Sequence, residues 1–498
     1  MGPPVIDTLI ALLHGFQAAL TPLHLGFALL GAALGTAIGV LPGIGPAMTV
    51  ALLLPVTFGA EPASGLILLA GIYYGAMYGG STTSILFNVP GESATIVTAL
   101  EGYQMARAGR GGAALATSAI GSFVAGTIGT GLLAVFGPGL ASLALRFGPA
   151  EQFALTVLAF AIVTSVLGES LARGLASLAV GLLIGAVGID PQTGSARLTF
   201  GIPQLLDGVD VIVVAVAFFA VAESLSLALS WVAGNEQEAI PAGPARLSRT
   251  DWRRSWPAWL RGTLIGFPLG AVPAGGAELP TLLSYGLERR LSRHPEEWGK
   301  GAIEGVAGPE AANNASAAGT LVPLLSLGIP TTATAAVLLA AFQQYGLQPG
   351  PLLFRNEPEL VWTLLASLFV GNAMLLVLNL PLVGIWARLA SIRPALLHGG
   401  ILVLSTVGAW TIHRSAADLV ILFVLALIAL GFRVLAIPAV PAVIGVILGP
   451  LAEQHLSRAL LVADGKWAAI LSRPIAGGIL GLALAVVGFS VLRRLRKS

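Results

Sequence analysis

Apolar residues run along this chain in blocks that recur from end to end. The blocks are long enough to cross a hydrocarbon core, which takes roughly 20 residues of helix. Four stretches interrupt them with small and polar residues: Pro42–Pro46, Gly79–Gly91 ("GGSTTSILFNVPG"), Pro273–Glu278 ("PAGGAE") and Pro309–Thr332 ("PEAANNASAAGTLVPLLSLGIPTT"). Glycine and proline release backbone N–H and C=O groups from the helix ladder. In a membrane such backbone persists only where it is buried in protein or lines a wet cavity. The pattern predicts an all-α polytopic membrane protein with broken helices and about 11–13 transmembrane spans.

Composition agrees. The 498 residues are 56% hydrophobic and only 10% charged, against about a quarter charged in soluble domains. Gly 63 and Pro 31 suit close helix packing and tolerated breaks. A net charge of +2 does not call for nucleic acid, because the basic residues sit in loops and in the tail "RRLRKS". There they orient the chain and predict a cytoplasmic C-terminus. The absence of cysteine excludes disulfides and thiolate metal sites. The six histidines show no zinc-ligand spacing. No HExxH, GxSxG or Gly-rich GKT/GKS motif occurs, so neither an enzyme nor an ATP site is expected. The N-terminus lacks the basic n-region of a signal peptide and is expected to belong to the mature protein.

A polar segment, Gly234–Arg261, divides the chain into two halves that resemble each other. "GTAIGVLPGIGPAM" (Gly35–Met48) aligns with "GFPLGAVPAGGAEL" (Gly266–Leu279), and "ILFNVPGESAT" (Ile85–Thr95) with "LSLGIPTTATA" (Leu325–Ala335). The register changes between the two matches, which places a short insertion in the second half where Asn313 and Asn314 lie. Loop charge gives orientation. "TFGAEPASG" has no Lys or Arg while its counterpart "LERRLSRHPEEWGKG" has four, and the asymmetry reverses after the second match. The positive-inside rule then puts corresponding loops on opposite faces. The expectation is two inverted repeats, residues 1–233 and 262–498, joined by a cytoplasmic loop, 234–261. Residues 262–288 lie between two basic segments and span only roughly 40 Å as helix, so a re-entrant hairpin with its tip at Pro273–Gly276 is expected. "LPGIGP" (Leu41–Pro46) is its mirror. Near the C-terminus "EQHLSRALLVADGKWAAILSR" carries positive charge on the face this count makes outer, and that end stays unassigned.

Inverted repeats are the architecture of secondary transporters, with the site where broken helices of the two halves meet. Half-helix N-termini favour anions, and unwound carbonyls with Ser, Thr and Asn oxygens suit a cation. Each feature has a plainer reading. Gly31–Gly35–Gly39 is a pattern more often found in packing seams than in binding loops, and Ser81, Thr82 and Thr83 suit back-bonding within a helix. Asn313 and Asn314 point to different sides of any helix and both need partners. Glu310 and Glu278, as intramembrane acids, are functional candidates. Glu304, Glu92 and Glu101 are expected near the membrane surface.

The stretches "LPGIGPAMTVALLLPVTF", "YYGAMYGGSTTSILFNVPGESATIVTALEGYQMARAG" and "EGVAGPEAANNASAAGTLVPLLSLGIPTTATAAVLLAAF" closely resemble the large membrane subunit of the tripartite tricarboxylate transporters, the TctA type. The resemblance implies a multi-pass permease of the bacterial inner membrane. It would act with a small four-helix membrane subunit (TctB type) and a periplasmic substrate-binding protein (TctC type), with no ATPase subunit. It implies uptake of citrate or other tri- and dicarboxylates, driven by a Na+ or H+ gradient, without a cofactor. An elevator-type motion follows by analogy of fold. Alternatives are a passive carboxylate channel and a non-transporting membrane scaffold or sensor. The residues expected around the substrate are Pro42, Gly43, Gly45, Asn88, Pro90, Gly91, Asn313, Asn314, Gly328 and Pro330. Those expected for the coupling ion, Na+ being the possible metal, are Ser81, Thr82, Thr83, Gly276, Glu278, Glu310, Thr331 and Thr332. The chain departs from the family pattern at Ala274 and Thr331, where glycine is usual. The added Cβ atoms make an acid smaller or less charged than citrate as good an expectation as citrate.

Overall fold

The computed structural model describes residues 5–41, 44–166, 170–190, 193–230, 240–241, 243–272, 276–390 and 394–495. Among the described residues the fold is all-α apart from one two-residue strand pair, β1 (Gly188–Ile189) and β2 (Ala196–Arg197). The first half opens with α1 (Val5–Ala19), α2 (Pro22–Gly39), α3 (Pro46–Leu53) and α4 (Pro62–Phe87). It continues with α5 (Ile96–Met105), α6 (Gly111–Ala144), α7 (Pro149–Val166) and α8 (Leu171–Gly185). Next, α9 (Val211–Ala215) runs through a π-turned segment, Val216–Val221, into α10 (Ala222–Ser230). The second half contains α11 (Arg249–Ala271), α12 (Glu278–Leu291), α13 (Glu304–Leu327), α14 (Ala333–Gln344) and α15 (Leu353–Asn356). After these come α16 (Pro358–Asn379), α17 (Val383–Ala390), α18 (Pro394–His413), α19 (Ala416–Val434), α20 (Val440–Val462), α21 (Trp467–Leu471) and α22 (Pro474–Leu495).

Six helical segments among the described residues are long and apolar enough to cross a membrane: Pro22–Gly39, Ser93–Ala144, Pro358–Asn379, Ala416–Val434, Val440–Val462 and Pro474–Leu492. The chain is therefore a polytopic membrane protein. The broken helices α4 and α13 are long enough but lie outside this set. Both are rich in small and polar residues and are buried almost throughout by other helices. A helix enclosed by protein needs no lipid-facing apolar surface.

Glycine seams set the interior. In α2, a Cβ on Gly31, Gly35 or Gly39 would lie 2.3, 2.3 and 2.6 Å from the carbonyl oxygens of Leu68, Ile72 and Ala76 in α4. In α11, a Cβ on Gly262, Gly266 or Gly270 would lie 2.2 Å from the carbonyl oxygens of Gly308, Ala312 and Ser316 in α13. Backbone meets backbone in both pairs, the packing that small residues permit. The two seams are built alike, and they correct the placement of the insertion. Register runs without a gap from Leu68–Pro90 to Gly308–Pro330, so Tyr73 and Tyr74 stand where the second half has Asn313 and Asn314. The extra residues lie upstream, in the connection that carries α12. Around the seams, α6 packs on α11 and α13, and α16 on α2, α4 and α6. Helices α7, α8, α20 and α22 form a second group.

The segment expected as a connecting loop through Arg261 is helical from Arg249. A capping box fixes that start: Ser248 Oγ accepts the Asp251 N–H at 3.1 Å, and Asp251 accepts the Ser248 N–H at 3.1 Å. The basic segments gather at one end of the molecule. There Arg110 pairs with Asp251 at 2.5 Å, Arg254 with Glu297 and Glu304 at 2.7 Å, and Arg261 with Glu288 at 2.5 Å. Glu304 thus lies at this end. Glu101 is fully buried instead, accepting the Tyr285 hydroxyl and the N–H groups of Gly299, Gly301 and Ala302 at 2.7–3.0 Å. The loops with little basic charge meet elsewhere: the Tyr345 hydroxyl donates to the Thr57 carbonyl at 2.8 Å.

Candidate functional site

Both broken helices end on a left-handed residue. Asn88 closes α4 at φ 56° and Gly328 closes α13 at φ 69°. Asparagine and glycine are the residues that adopt this conformation at least cost. Pro90 and Pro330 follow, and neither can continue a helix. Beyond Pro90 the chain folds back on α4 so tightly that a Cβ on Gly91 would lie 2.4 Å from Gly80 Cα. In the second half Thr331 stands at that place, and its hydroxyl donates to the Gly270 carbonyl at 3.2 Å. Thr332 caps α14 by accepting the Ala335 N–H at 3.1 Å.

The fold-back of the first half brings three carboxylates to a seam between the halves. Asn313 in α13 donates its amide to Glu92 at 2.8 Å. The neighbouring Ser93 hydroxyl donates to Glu278, at the start of α12. One turn before Asn313, the fully buried Glu310 accepts hydroxyls from Ser81 in α4, Thr98 in α5 and Ser118 in α6, the last at 3.1 Å. Among the described residues, none of these three acids has a Lys, Arg or His within ion-pairing distance. Gly45, the residue before α3, faces the Cβ of Glu92, 3.9 Å from where its own Cβ would stand. The residue before α3 thus approaches Glu92, and the start of α12 meets the neighbouring Ser93.

Asn314 turns the other way. Its amide donates to Ser122 of α6 at 2.7 Å and to the Glu310 carbonyl at 3.3 Å. The carbonyl oxygens of both asparagine side chains are buried without a hydrogen-bond partner among the described residues. A link across the halves, Tyr73 OH to Thr320 Oγ1 at 3.3 Å, joins α4 to α13 directly.

The structure thus brings Gly45, Ser81, Gly91, Glu278, Glu310 and Asn313 to the seam, with Gly276 at φ 64° leading into Glu278. Gly328, Pro330, Thr331 and Thr332 gather at the other break, near Gly270. Thr83 back-bonds to the Gly80 carbonyl at 3.0 Å, and Thr82 is buried on the same helix. Asn88 is exposed, and its role in the break is its backbone. Pro42, Gly43, Pro273 and Ala274 lie outside the described residues. Glu92 corrects its expected place at the membrane surface: it is a centre of the seam. Thr98, Ser118 and Ser122 join it without having been anticipated. Glu92 follows Asn88, Pro90 and Gly91 in one break, which was a usable signal; nothing local marks the other three. Among the described residues, one grouping of His, Asp and Glu has its ligand atoms together, His294, Glu296 and Glu297. It lies on a surface loop and its Glu297 is already paired with Arg254.

A seam of acids and amides between two broken helices suits a site for solute and cation. Residues 25–444 match the family described as "Tripartite tricarboxylate transporter TctA family". The chain is 44% identical over 494 residues to an "Uncharacterized 52.8 kDa protein in TAR-I ttuC' 3'region" of Agrobacterium vitis, covering 99% of this chain and 98% of that one. It is 39% identical over 233 residues to an "Uncharacterized protein in TAR-II ttuC' 3'region" of the same organism, covering 46% of this chain and 96% of that protein. No solved structure matches. With a polytopic all-α fold, paired helix breaks and a match spanning most of its length, the chain belongs to the tripartite tricarboxylate transporter TctA family.

Proposed function

We propose that this chain is the large permease subunit of a binding-protein-dependent secondary transporter. It takes up tri- or dicarboxylates, or related carboxylic acids, coupled to a Na+ or H+ gradient. The observation that carries this reading is the seam of Glu92, Glu278 and Glu310, which has no basic partner among the described residues. Two like charges at ~5 Å repel by about 3 kcal/mol at an effective dielectric of ~20. An anionic substrate therefore enters such a seam only together with cations that neutralise it, which is the physical content of symport. Glu310, enclosed by hydroxyls from α4, α5 and α6, is the better carrier of the coupling charge; Glu278 is exposed. Asn313 is the amide placed to hold a substrate carboxylate once Glu92 lets go of it.

The two glycine seams, the two left-handed helix ends and the segregation of basic and non-basic loops support inverted repeats. On that reading α11 and α12 form a re-entrant hairpin, the breaks lie near the midplane, and access alternates by an elevator-type movement. The basic end faces the cytoplasm of a bacterial inner membrane. A small four-helix subunit and a periplasmic binding protein complete the system.

The test is uptake of labelled carboxylates into proteoliposomes holding both membrane subunits, with and without the binding protein, under Na+ or H+ gradients. Accumulation that requires the binding protein and one gradient is expected. Downhill flux indifferent to both would replace the symporter with a channel.

A further inference from the structure

At the end of the molecule opposite the ion-paired layer lies a cavity of about 290 Å³. Helix α6 shows the separation: it starts beside the Arg110–Asp251 pair, runs 34 residues, or about 51 Å, and ends at Ala144 on the cavity wall. The floor includes Gly328 and Ile329, the break of α13 itself. The polar side chains around it are Gln152, Thr156, Gln343, Gln348, Gln454, His455 and Arg458, and no Asp or Glu is among its lining residues.

We propose that this cavity is an outer anteroom that holds a small carboxylate before it reaches the seam, with Arg458 as its charge and the glutamine amides as its hydrogen-bond donors. The inference rests on the permease reading for what lies beyond the break. Arg458 has no acid partner among the described residues. Arg197, Arg433 and Arg473 each have one. Among the described residues the side chains of the half-buried Gln152 and Gln343 and the exposed Gln348 and Gln454 make no hydrogen bond, Arg458 is exposed, and the half-buried His455 leaves Nδ1 unpartnered. A guanidinium, an imidazole and four amides on one apolar-walled cavity form the donor-rich, acid-free lining that a carboxylate needs. The volume admits one small ligand at the low end of ordinary sites. The proposal also accounts for positive charge on an outer face, the feature that loop counting left unassigned: Arg458 is placed for an incoming anion rather than for topology.

The chain has no cysteine, so Leu352→Cys puts a single thiol on the apolar wall. Its labelling by an impermeant maleimide is timed in proteoliposomes of the complete membrane complex at fixed ionic strength. Citrate, succinate, malonate and inorganic phosphate are compared. At least one carboxylate is expected to slow labelling threefold or more. Adding Arg458→Gln should raise the protecting concentration at least tenfold, and Arg458→Lys should restore most of the protection. Labelling indifferent to all three carboxylates, or protection unchanged by Arg458→Gln, would overturn the proposal. So would phosphate protecting as well as any carboxylate, since the site would then take phosphate groups, lipid headgroups included. Uptake in the same vesicles separates the two readings. Gradient-driven accumulation without protection sinks the anteroom alone, and protection without accumulation sinks the permease alone.

Discussion

Replacing Glu310 with glutamine tests whether the buried acid carries coupling charge or merely anchors helices. The wild-type carboxylate accepts Ser81 and Ser118 on one oxygen and Thr98 on the other. Glutamine has nearly the same shape but keeps one acceptor oxygen and turns the other into a donor. One or two of three hydrogen bonds to a charged group, each contributing about 1.5–3 kcal/mol, are lost, partly offset by the rotating hydroxyls accepting from the new amide. A destabilisation of about 2–4 kcal/mol is expected, survivable for a helix bundle and visible as earlier thermal inactivation. Transport should suffer more specifically. A unit charge moving through 100 mV is worth about 2.3 kcal/mol, and each 1.36 kcal/mol is tenfold. Removing one coupling charge should therefore lower the accumulation ratio about fiftyfold at ~100 mV. Exchange of labelled for unlabelled substrate across the membrane, which needs no net coupling, should persist and report a folded carrier. Accumulation by Glu310→Gln at the wild-type ratio, with the wild-type response to voltage, would refute the assignment.

Gly266→Ala drives a Cβ into the Ala312 backbone and should cost about 1–3 kcal/mol by overpacking, whereas Gly131→Ala meets nothing within 4 Å and should be silent; thermal inactivation of the two variants compares them. Asn313→Ala leaves Glu92 without its amide and should abolish binding-protein-dependent uptake at normal membrane abundance, measured by immunoblot beside the flux. Asn314→Ala should also abolish uptake, by loosening α13 from α6, and full activity there would remove Asn314 from the site. Glu101→Gln presents an amide donor to one or more of four donors and should cost about 2–4 kcal/mol, read as faster proteolysis in the Trp298–Ala302 segment. The Arg254 guanidinium holds the Glu297 carboxyl below its ordinary value. The stabilisation from that pair is thus complete above the unfolded carboxylate range, about pH 4.3, and fades as pH falls through the lower folded value. Arg254→Gln should remove this acid sensitivity of the layer, as followed by hydrogen exchange of residues 294–300 between pH 5 and 3.

Much of the architecture was legible because a membrane restricts what backbone can do. Long apolar blocks have to be helices. The glycine triplets had to sit against something close, and a Pro-Gly interruption in such a block had to be enclosed. Asn88–Gly91 and Gly328–Pro330 could be recognised as breaks for that reason alone, and Glu310 stood out as an acid with nowhere to hide. The family resemblance rests on these same stretches.

Partnership was not legible, because it depends on contacts between residues some two hundred positions apart. Neighbouring asparagines had to point differently, but only the packing of α13 between α4 and α6 decided that Asn313 meets Glu92 and Asn314 meets Ser122. Thr98 and Ser118 are ordinary helix residues until α5 and α6 turn them onto Glu310. Counting charges could not tell an arginine that orients a loop from one that lines a cavity; only the passage of α20 beside the break at Gly328 puts Arg458 on the cavity. The sequence by itself determined the helices, the breaks and the kinds of group available at them, since those follow from local propensity and solvent. The tertiary structure alone decided which groups face one another, because a buried charge or amide is defined by the neighbours that satisfy it.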